Sequence, residues 1–339
     1  MKLATPRWWY VRDLPARRGG MPVSRVVLTP VSWIWAAVTA RRIARATPVD
    51  VGVPVICVGN LTMGGAGKTP VVRALAERLA AQGRKVHLLS RGYGGRLQGP
   101  VRVDPARHAS ADVGDEPLMM ARDFPVWVAR DRAAGAKAAA ESGAEVIVMD
   151  DGHQNPSVKK ALSLVVVDGE TRHDEWPFGD GQVFPAGPMR EPLAAGLARA
   201  DAALILLPAD LPSAEPGLVR LLNGPPLLVA HLAAAKAPPT GPQVGFAGVG
   251  KPWKVERALQ AAGCDLADFA PFADHAVYDE ATLRRLADRA KVFGAGLVTT
   301  EKDWVRLPPD WQARVTPWPV RAEFDDPAAL DALLAKAGL

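Results

Sequence analysis

From Val53 onward the chain alternates short, near-continuous apolar runs with Ala-rich stretches at helical spacing. The runs VPVICVGN (53–60), KVHLLS (85–90), VWVAR (126–130), EVIVMD (145–150), LSLVVVD (162–168) and DAALILLP (201–208) are each bounded by turn residues or by a helix-like stretch. Runs of this length without polar alternation predict strands buried on both faces. Thr69–Ala81, closed by Gly83, and Ala133–Ser142 predict helices between them. Strands alternating with helices imply a parallel sheet covered on both sides. Seven prolines between residues 209 and 242 predict a loop-rich transition. A second α/β pattern follows, with strands at QVGFAGVG (243–250) and GLVTT (296–300) and helices near Val255–Ala262 and Glu280–Ala290. A length of 339 residues suits two domains. The expected division is a first α/β domain over 51–208 and a smaller one over 209–339 that closes over a cleft.

Residues 1–50 differ from the rest. They hold nine Lys/Arg against two Asp/Glu, a net of +7, whereas the whole chain carries +5, so the globular body is slightly acidic. Val26–Ala40 has no charge in fifteen residues; Arg25 precedes it, and Arg41, Arg42 and Arg45 follow. Trp8, Trp9, Trp33 and Trp35 lie in the same region. Fifteen helical residues reach roughly 22 Å, short of a hydrocarbon core of about 30 Å, and Pro30 weakens a straight span. Tryptophans with basic flanks predict a helix lying in the headgroup region of an anionic membrane; the plain alternative is a helix packed on the protein's own core. A cleaved signal peptide fits poorly, because a nucleotide-type loop follows directly. An anionic membrane surface, and no nucleic acid, is the partner expected of this segment. Two cysteines without metal-type spacing suit a reducing compartment and exclude a disulfide scaffold.

The apolar run 53–60 leads into VGNLTMGGAGKTP (58–70) and then a helical pattern. Strand, glycine-rich turn and helix are the context of a phosphate-binding loop, although Thr62 stands where G-x-x-x-x-G-K-[ST] has its first glycine. Gly64, Gly65 and Gly67 let backbone N–H groups approach phosphate, so Thr62, Gly64, Gly65, Ala66, Gly67, Lys68 and Thr69 form the expected ATP cradle. Lys68 is placed for the β- and γ-phosphates and the Thr69 hydroxyl for Mg²⁺. EVIVMDDGHQN (145–155) ends a strand in Asp150 and Asp151. Carboxylates there can serve the same metal; an Asp-Asp-Gly turn that merely ends the strand is the alternative. His153 and Gln154 are within reach of the site but suggest no role.

VGNLTMGGAGKTP, SRGYGG (90–95), GDEP (114–117), ARDR (129–132), DDGHQN (150–155), PAGPMREPL (185–193), DH (274–275) and TTEKD (299–303) follow one another in an order that resembles the tetraacyldisaccharide 4'-kinases, over about residues 20 to 305. His153 departs from the resemblance, because an aromatic usually follows DDG in that family; Pro188 and Met189 lie where related sequences vary. The resemblance implies a P-loop NTPase-type parallel sheet with helices on both faces, a second smaller α/β domain and an N-terminal membrane-associating helix. It implies ATP- and Mg²⁺-dependent phosphorylation of the 4'-hydroxyl of a tetraacylated glucosamine disaccharide 1-phosphate, a lipid A precursor, by a monomer at the cytoplasmic face of the bacterial inner membrane. Asp115 as base, His275 as its partner, and Lys68, Asp150 and Asp151 are then the catalytic set. Thr69, Glu116 and Asp151 are the metal set, and Arg91, Tyr93, Arg132 and Arg190 the substrate set. Arginine suits bidentate phosphate contacts, although each of these could equally be a surface residue, and Tyr93 could be structural. By residue type alone, Asp115 could cap a helix at Glu116-Pro117 and His275 could be an ordinary loop histidine. Thr300, Glu301 and Asp303 either line the cleft or cap a helix.

Three other readings compete. A membrane-associated regulatory ATPase of the partitioning type would carry a lysine before the paired glycines, where this chain has Met63. A GTPase needs N-K-x-D, and TEKD (300–303) has its lysine one place late. A small-molecule kinase without a membrane link leaves the Trp-rich N-terminus unexplained.

Overall fold

The structure is a computed structural model that describes residues 7–10, 23–172 and 175–339. The remainder of the N-terminal segment expected over 1–50, including residues 11–22, lies outside the described residues, as does the side chain of Trp8.

Six of the apolar runs form strands: β1 (Val55–Gly59), β2 (Val86–Ser90), β4 (Val126–Val128), β5 (Val146–Asp150), β6 (Leu162–Asp168) and β7 (Ala202–Pro208), with a two-residue β3 (Val101–Arg102) between β2 and β4. Further along the chain come β8 (Leu227–Ala234), β9 (Gln243–Ala247), β10 (Leu266–Pro271), β11 (Gly296–Thr300), β12 (Val315–Trp318) and β13 (Val320–Phe324). Nine strands make one sheet in the order β13-β8-β7-β6-β1-β5-β2-β4-β3. Its interior pairs are parallel, and the two edge pairs, β3 with β4 and β13 with β8, are antiparallel. The helices are α1 (Val23–Arg45), which precedes the sheet, and α2 (Lys68–Ala81), which packs Val71, Val72, Leu75 and Leu79 into its main core; the others are given below by their ranges.

The expected boundary at residue 208 does not follow the sheets. β8 and β13 extend the large sheet, and the helix Pro327–Lys336 packs Leu330, Leu333 and Leu334 into its core and holds Arg78 of α2 through Asp331. The smaller sheet, β10-β9-β11-β12 and all parallel, is inserted between β8 and β13. The stretch 209–242 is loop-rich, with a helix and a strand set in it: Pro212, Pro238 and Pro239 lie in loops, Pro216 opens the helix Pro216–Leu221, and Pro225 and Pro226 precede β8. The helix start and the approach to the strand are positions where a missing N–H costs little.

α1 runs the length of the uncharged stretch and both its basic flanks, with Pro30 inside it. Three of its polar residues face the protein. Arg25, Ser32 and Thr39, seven apart, are buried, whereas Trp33 (68% exposed), Ile34 (64%), Val26, Val27, Val31 and Val38 face outward. Arg25 pairs with Asp180, and the Ser32 hydroxyl accepts the Ala186 N–H at 3.0 Å. Among the described residues no helix is long and apolar enough to cross a membrane.

Candidate active site

β1 ends at Gly59, and the chain turns through Asn60–Ala66 into α2. Gly67 stands at the helix N-cap in the left-handed region (φ 73°); a Cβ there would come within 2.6 Å of Leu206 Cδ2, so both conformation and space require glycine. Thr62 needs no such freedom. It forms a single antiparallel bridge with Met189, an extended backbone that any residue adopts, and its carbonyl accepts from Asn60 Nδ2 at 2.9 Å and Arg190 Nε at 2.9 Å. The missing first glycine is thus explained by a brace of neighbouring chain. Lys68 at the first turn of α2 has its ammonium 3.4 Å from Asn60 Oδ1 and 3.6 Å from Asp151 Oδ1.

The two aspartates after β5 diverge. Asp151 adopts φ 54°, a left-handed conformation that Asp tolerates better than most residues. Arg190 grips it through Nη1 at 2.6 Å and Nη2 at 3.1 Å. Burial works to raise its pKa, but Lys68 and Arg190 prevail and hold the carboxyl well below the usual range. Asp150 is buried, and its Oδ1 has no hydrogen-bond partner. Burial pushes its carboxyl up to about 6, against the pull of Lys68. An orphaned carboxylate oxygen beside a phosphate-type loop fits a hard cation. No cluster of three or more His, Cys, Asp or Glu gathers for a metal among the described residues. Mg²⁺ commonly takes one or two carboxylates and completes its shell with phosphate and water, so the donor set of Asp150 and the Thr69 hydroxyl suits it.

Asp115 and His275 meet as a hydrogen-bonded pair. His275, on the loop after β10, places Nδ1 2.7 Å from Asp115 Oδ2, at the first residue of the helix Asp115–Met120, although 160 residues separate them. His275 has φ 57°; it and Asp151 are the two non-glycine residues at positive φ among the described residues, and both sit at this site. Such conformations concentrate where surrounding structure enforces function. His275 Nε2 lies 3.4 Å from the Lys302 ammonium, whose neighbours Glu116 and Asp274 outweigh burial and raise its pKa. A charged Lys302 can only donate, which makes Nε2 the acceptor and leaves Nδ1–H to donate to Asp115. Burial raises the Asp115 carboxyl, but the His275 hydrogen bond and Arg306, 3.6 Å away, pull it below its ordinary value.

The remaining expected residues are placed as follows. Glu116 is held by Lys302 at 2.8 Å. Tyr93 is exposed, and its ring lies 5.6 Å from that of His275 at 52°. Arg91 is exposed. Arg132 is no loop residue: it is buried as the first residue of the helix Arg132–Glu141, donating to Ala129 O at 2.5 Å, and its Nε has no partner. Burial lowers its pKa, and Asp150 and Asp151 offset only part of that; it is an interior counter-charge to the aspartates. Arg190 braces the loop instead of standing open. Thr300 caps the helix Glu301–Trp304, so the capping alternative holds for it; Asp303 is fully buried within that helix and accepts from the Gly248 N–H and the Tyr278 hydroxyl. Glu301 pairs with Arg73 of α2 at 2.7 Å, tying the smaller domain to the nucleotide-loop helix. His153 is buried between Ser163 Oγ and Gly196 O at 2.9 Å each, and burial lowers its pKa to about 4; it packs as a neutral ring.

Asn60, Lys302 and Arg306 were not expected at the site. Lys302 lies inside TTEKD, and Asn60 directly follows β1, so both positions carried a signal. Arg306 carried none: its contact with Asp115 depends on how the two domains meet.

A model of the family described as tetraacyldisaccharide-1-P 4'-kinase matches residues 24–338. The tetraacyldisaccharide 4'-kinase of Phenylobacterium zucineum is 72% identical over 98% of this chain and 99% of its own, and that of Caulobacter vibrioides 68% over the whole of both. Among solved structures, LpxK from Aquifex aeolicus in complex with ATP superposes with a TM-score of 0.72 at 24% identity, covering 93% of this chain and 99% of that one, a likeness of fold.

Proposed function

The chain belongs to the tetraacyldisaccharide-1-P 4'-kinase family, and from that membership we propose how its residues divide the work. Its activity is the ATP-dependent phosphorylation of the 4'-hydroxyl of a tetraacylated glucosamine disaccharide 1-phosphate, a lipid A precursor. The regulatory-ATPase alternative is not favoured.

A sugar hydroxyl is a weak nucleophile, and its proton must leave as the phosphoryl group arrives. Asp115 is the acceptor. His275 donates Nδ1–H to one carboxylate oxygen and so fixes the direction of the other. The lowered pKa of Asp115 keeps it ionised at neutral pH and makes it a modest base, which suits a loose phosphoryl-transfer transition state with late proton loss. Lys68 neutralises charge on the transferring group. Asp150 and Thr69 would hold Mg²⁺, which would offset the negative charge of the phosphates. Asp151 keeps Lys68 and Arg190 in register, and Arg132 balances the aspartate pair from within. Arg91 and Tyr93, both exposed and the latter beside His275, receive the sugar phosphate. The outward apolar face of α1, with Arg41, Arg42 and Arg45 at its end, rests on anionic lipid at the cytoplasmic face of the inner membrane, where ATP and the acylated acceptor meet.

The observation that carries this reading is the 2.7 Å contact of Asp115 with His275, two residues 160 apart in sequence. The test is transfer of labelled γ-phosphate to a detergent-dispersed disaccharide lipid. Asp115→Ala and His275→Ala each lower kcat by about 10²- to 10⁴-fold, far more than they raise the KM for ATP, and the double variant is little worse than the poorer single one. Losses that multiply in the double variant mean that the two residues act independently and that the dyad is wrong.

A further inference from the structure

The segment between Trp176 and Arg190 lies between α1 and the nucleotide loop and bonds to both. On the α1 side, Trp35 Nε1 donates to the Arg190 carbonyl at 3.1 Å, the Trp35 ring meets Phe184 edge-on at 5.0 Å, Ser32 accepts the Ala186 N–H, and Arg25 pairs with Asp180. On the nucleotide side, the Arg190 N–H donates to Leu61 O at 2.8 Å, the Met63 N–H donates to Pro188 O at 2.7 Å, and the Arg190 guanidinium spans Thr62 O and Asp151. One residue, Arg190, therefore receives the indole of α1 on its carbonyl while its amide and side chain hold both ends of the phosphate site.

We propose that Trp35 is a positioning residue that links the lipid-facing helix to the ATP site, so that lipid contact and ATP binding strengthen each other through Arg190. The proposal rests on the reading that the outer face of α1 meets lipid. Trp35 is half-exposed, with one edge on the protein and the rest on that face; a lipid surface that fixes the ring fixes the Arg190 peptide with it. The link must be reciprocal, because a factor by which lipid tightens ATP binding is the factor by which ATP tightens lipid binding.

The probes are a non-hydrolysable ATP analogue with Mg²⁺ and vesicles containing an anionic phospholipid, used with the full chain. Binding of the analogue is measured with and without vesicles, and co-sedimentation is measured with and without the analogue. The wild type shows the same enhancement in both directions, about fivefold or more. Trp35→Phe keeps the ring on Phe184 but removes the N–H. It weakens analogue binding without lipid by about threefold to tenfold, the scale of one neutral hydrogen bond, and loses most of the mutual enhancement. Ser32→Ala, which removes the second anchor, shifts both in the same direction. Wild-type protein that pellets equally with and without the analogue, or Trp35→Phe with unchanged analogue binding and full enhancement, overturns the link while leaving the membrane reading intact. Wild-type protein that does not pellet overturns the membrane reading and the coupling to lipid together, and the lipid-free binding of Trp35→Phe then reports on the Trp35–Arg190 contact alone.

Discussion

Asp150→Asn stabilises the ligand-free protein at neutral pH while destroying its activity. The Asp150 carboxyl is buried, one oxygen is unpartnered, and its pKa rises from 3.8 to about 6. A raised carboxyl pKa means that the folded state holds the proton more tightly than the unfolded chain. Stability therefore falls as pH rises from about 4 to about 6, and the ionised group carries its full cost above that window. A shift of about 2 units corresponds to about 3 kcal/mol as an upper figure. The amide of Asn has the same shape and no charge to desolvate, so the variant gains up to that amount at pH 8 and little at pH 4. Urea unfolding at both pH values, without nucleotide or metal, measures the difference. Adding ATP and Mg²⁺ stabilises the wild type more than the variant, because the cation supplies the partner that Oδ1 lacks. A variant no more stable than wild type at pH 8, or one that gains as much at pH 4 as at pH 8, refutes the assignment of a desolvated, metal-ready carboxylate.

Two further outcomes are expected. Lys68→Ala abolishes transfer while the protein still unfolds cooperatively in urea, at a lower midpoint because Asp150 and Asp151 lose a counter-charge; near-wild-type turnover excludes the phosphate-loop assignment. Trp33→Glu with Ile34→Glu places two charges on the exposed face of α1 and lowers co-sedimentation with anionic vesicles by at least tenfold while thermal unfolding is unchanged; undiminished pelleting removes lipid contact from that face.

The phosphate loop and the strands beside it were legible because their signals are local: β1, the glycine turn and α2 occupy one contiguous stretch whose chemistry depends on its own backbone. The dyad was legible only through family resemblance, since nothing short-range relates residues 115 and 275. β8 and β13 were missed for a physical reason. LLVAHLAA adjoins a proline cluster, and VRAEF alternates because it forms a half-exposed edge, so neither reads as a buried run. The insertion of the smaller domain went unread with them. Arg190 was expected to face phosphate, and what the sequence does not encode locally is that Asp151 lies within its reach. The inward face of α1 did carry a signal: Arg25, Ser32 and Thr39 recur every seven residues, a polar stripe inside an apolar helix. A spacing of seven returns to nearly the same side of a helix.

The pairing of β8 with β13 has a consequence for synthesis. The two strands lie 86 residues apart in sequence, Ala234 being matched to Val320, and the smaller domain is made between them. On the ribosome the large sheet assembles as far as β8 and then waits, its last strand showing an unpaired row of N–H and C=O groups to any chain nearby. The smaller domain, whose parallel sheet is closed within its own stretch of sequence, can fold during that interval. The final strand then arrives antiparallel on β8, and the helix after it brings three leucines onto the core beside α2. The newborn protein is thus most exposed to edge-to-edge aggregation late in its translation, and a chaperone that binds extended backbone would find its target at residues 227–234.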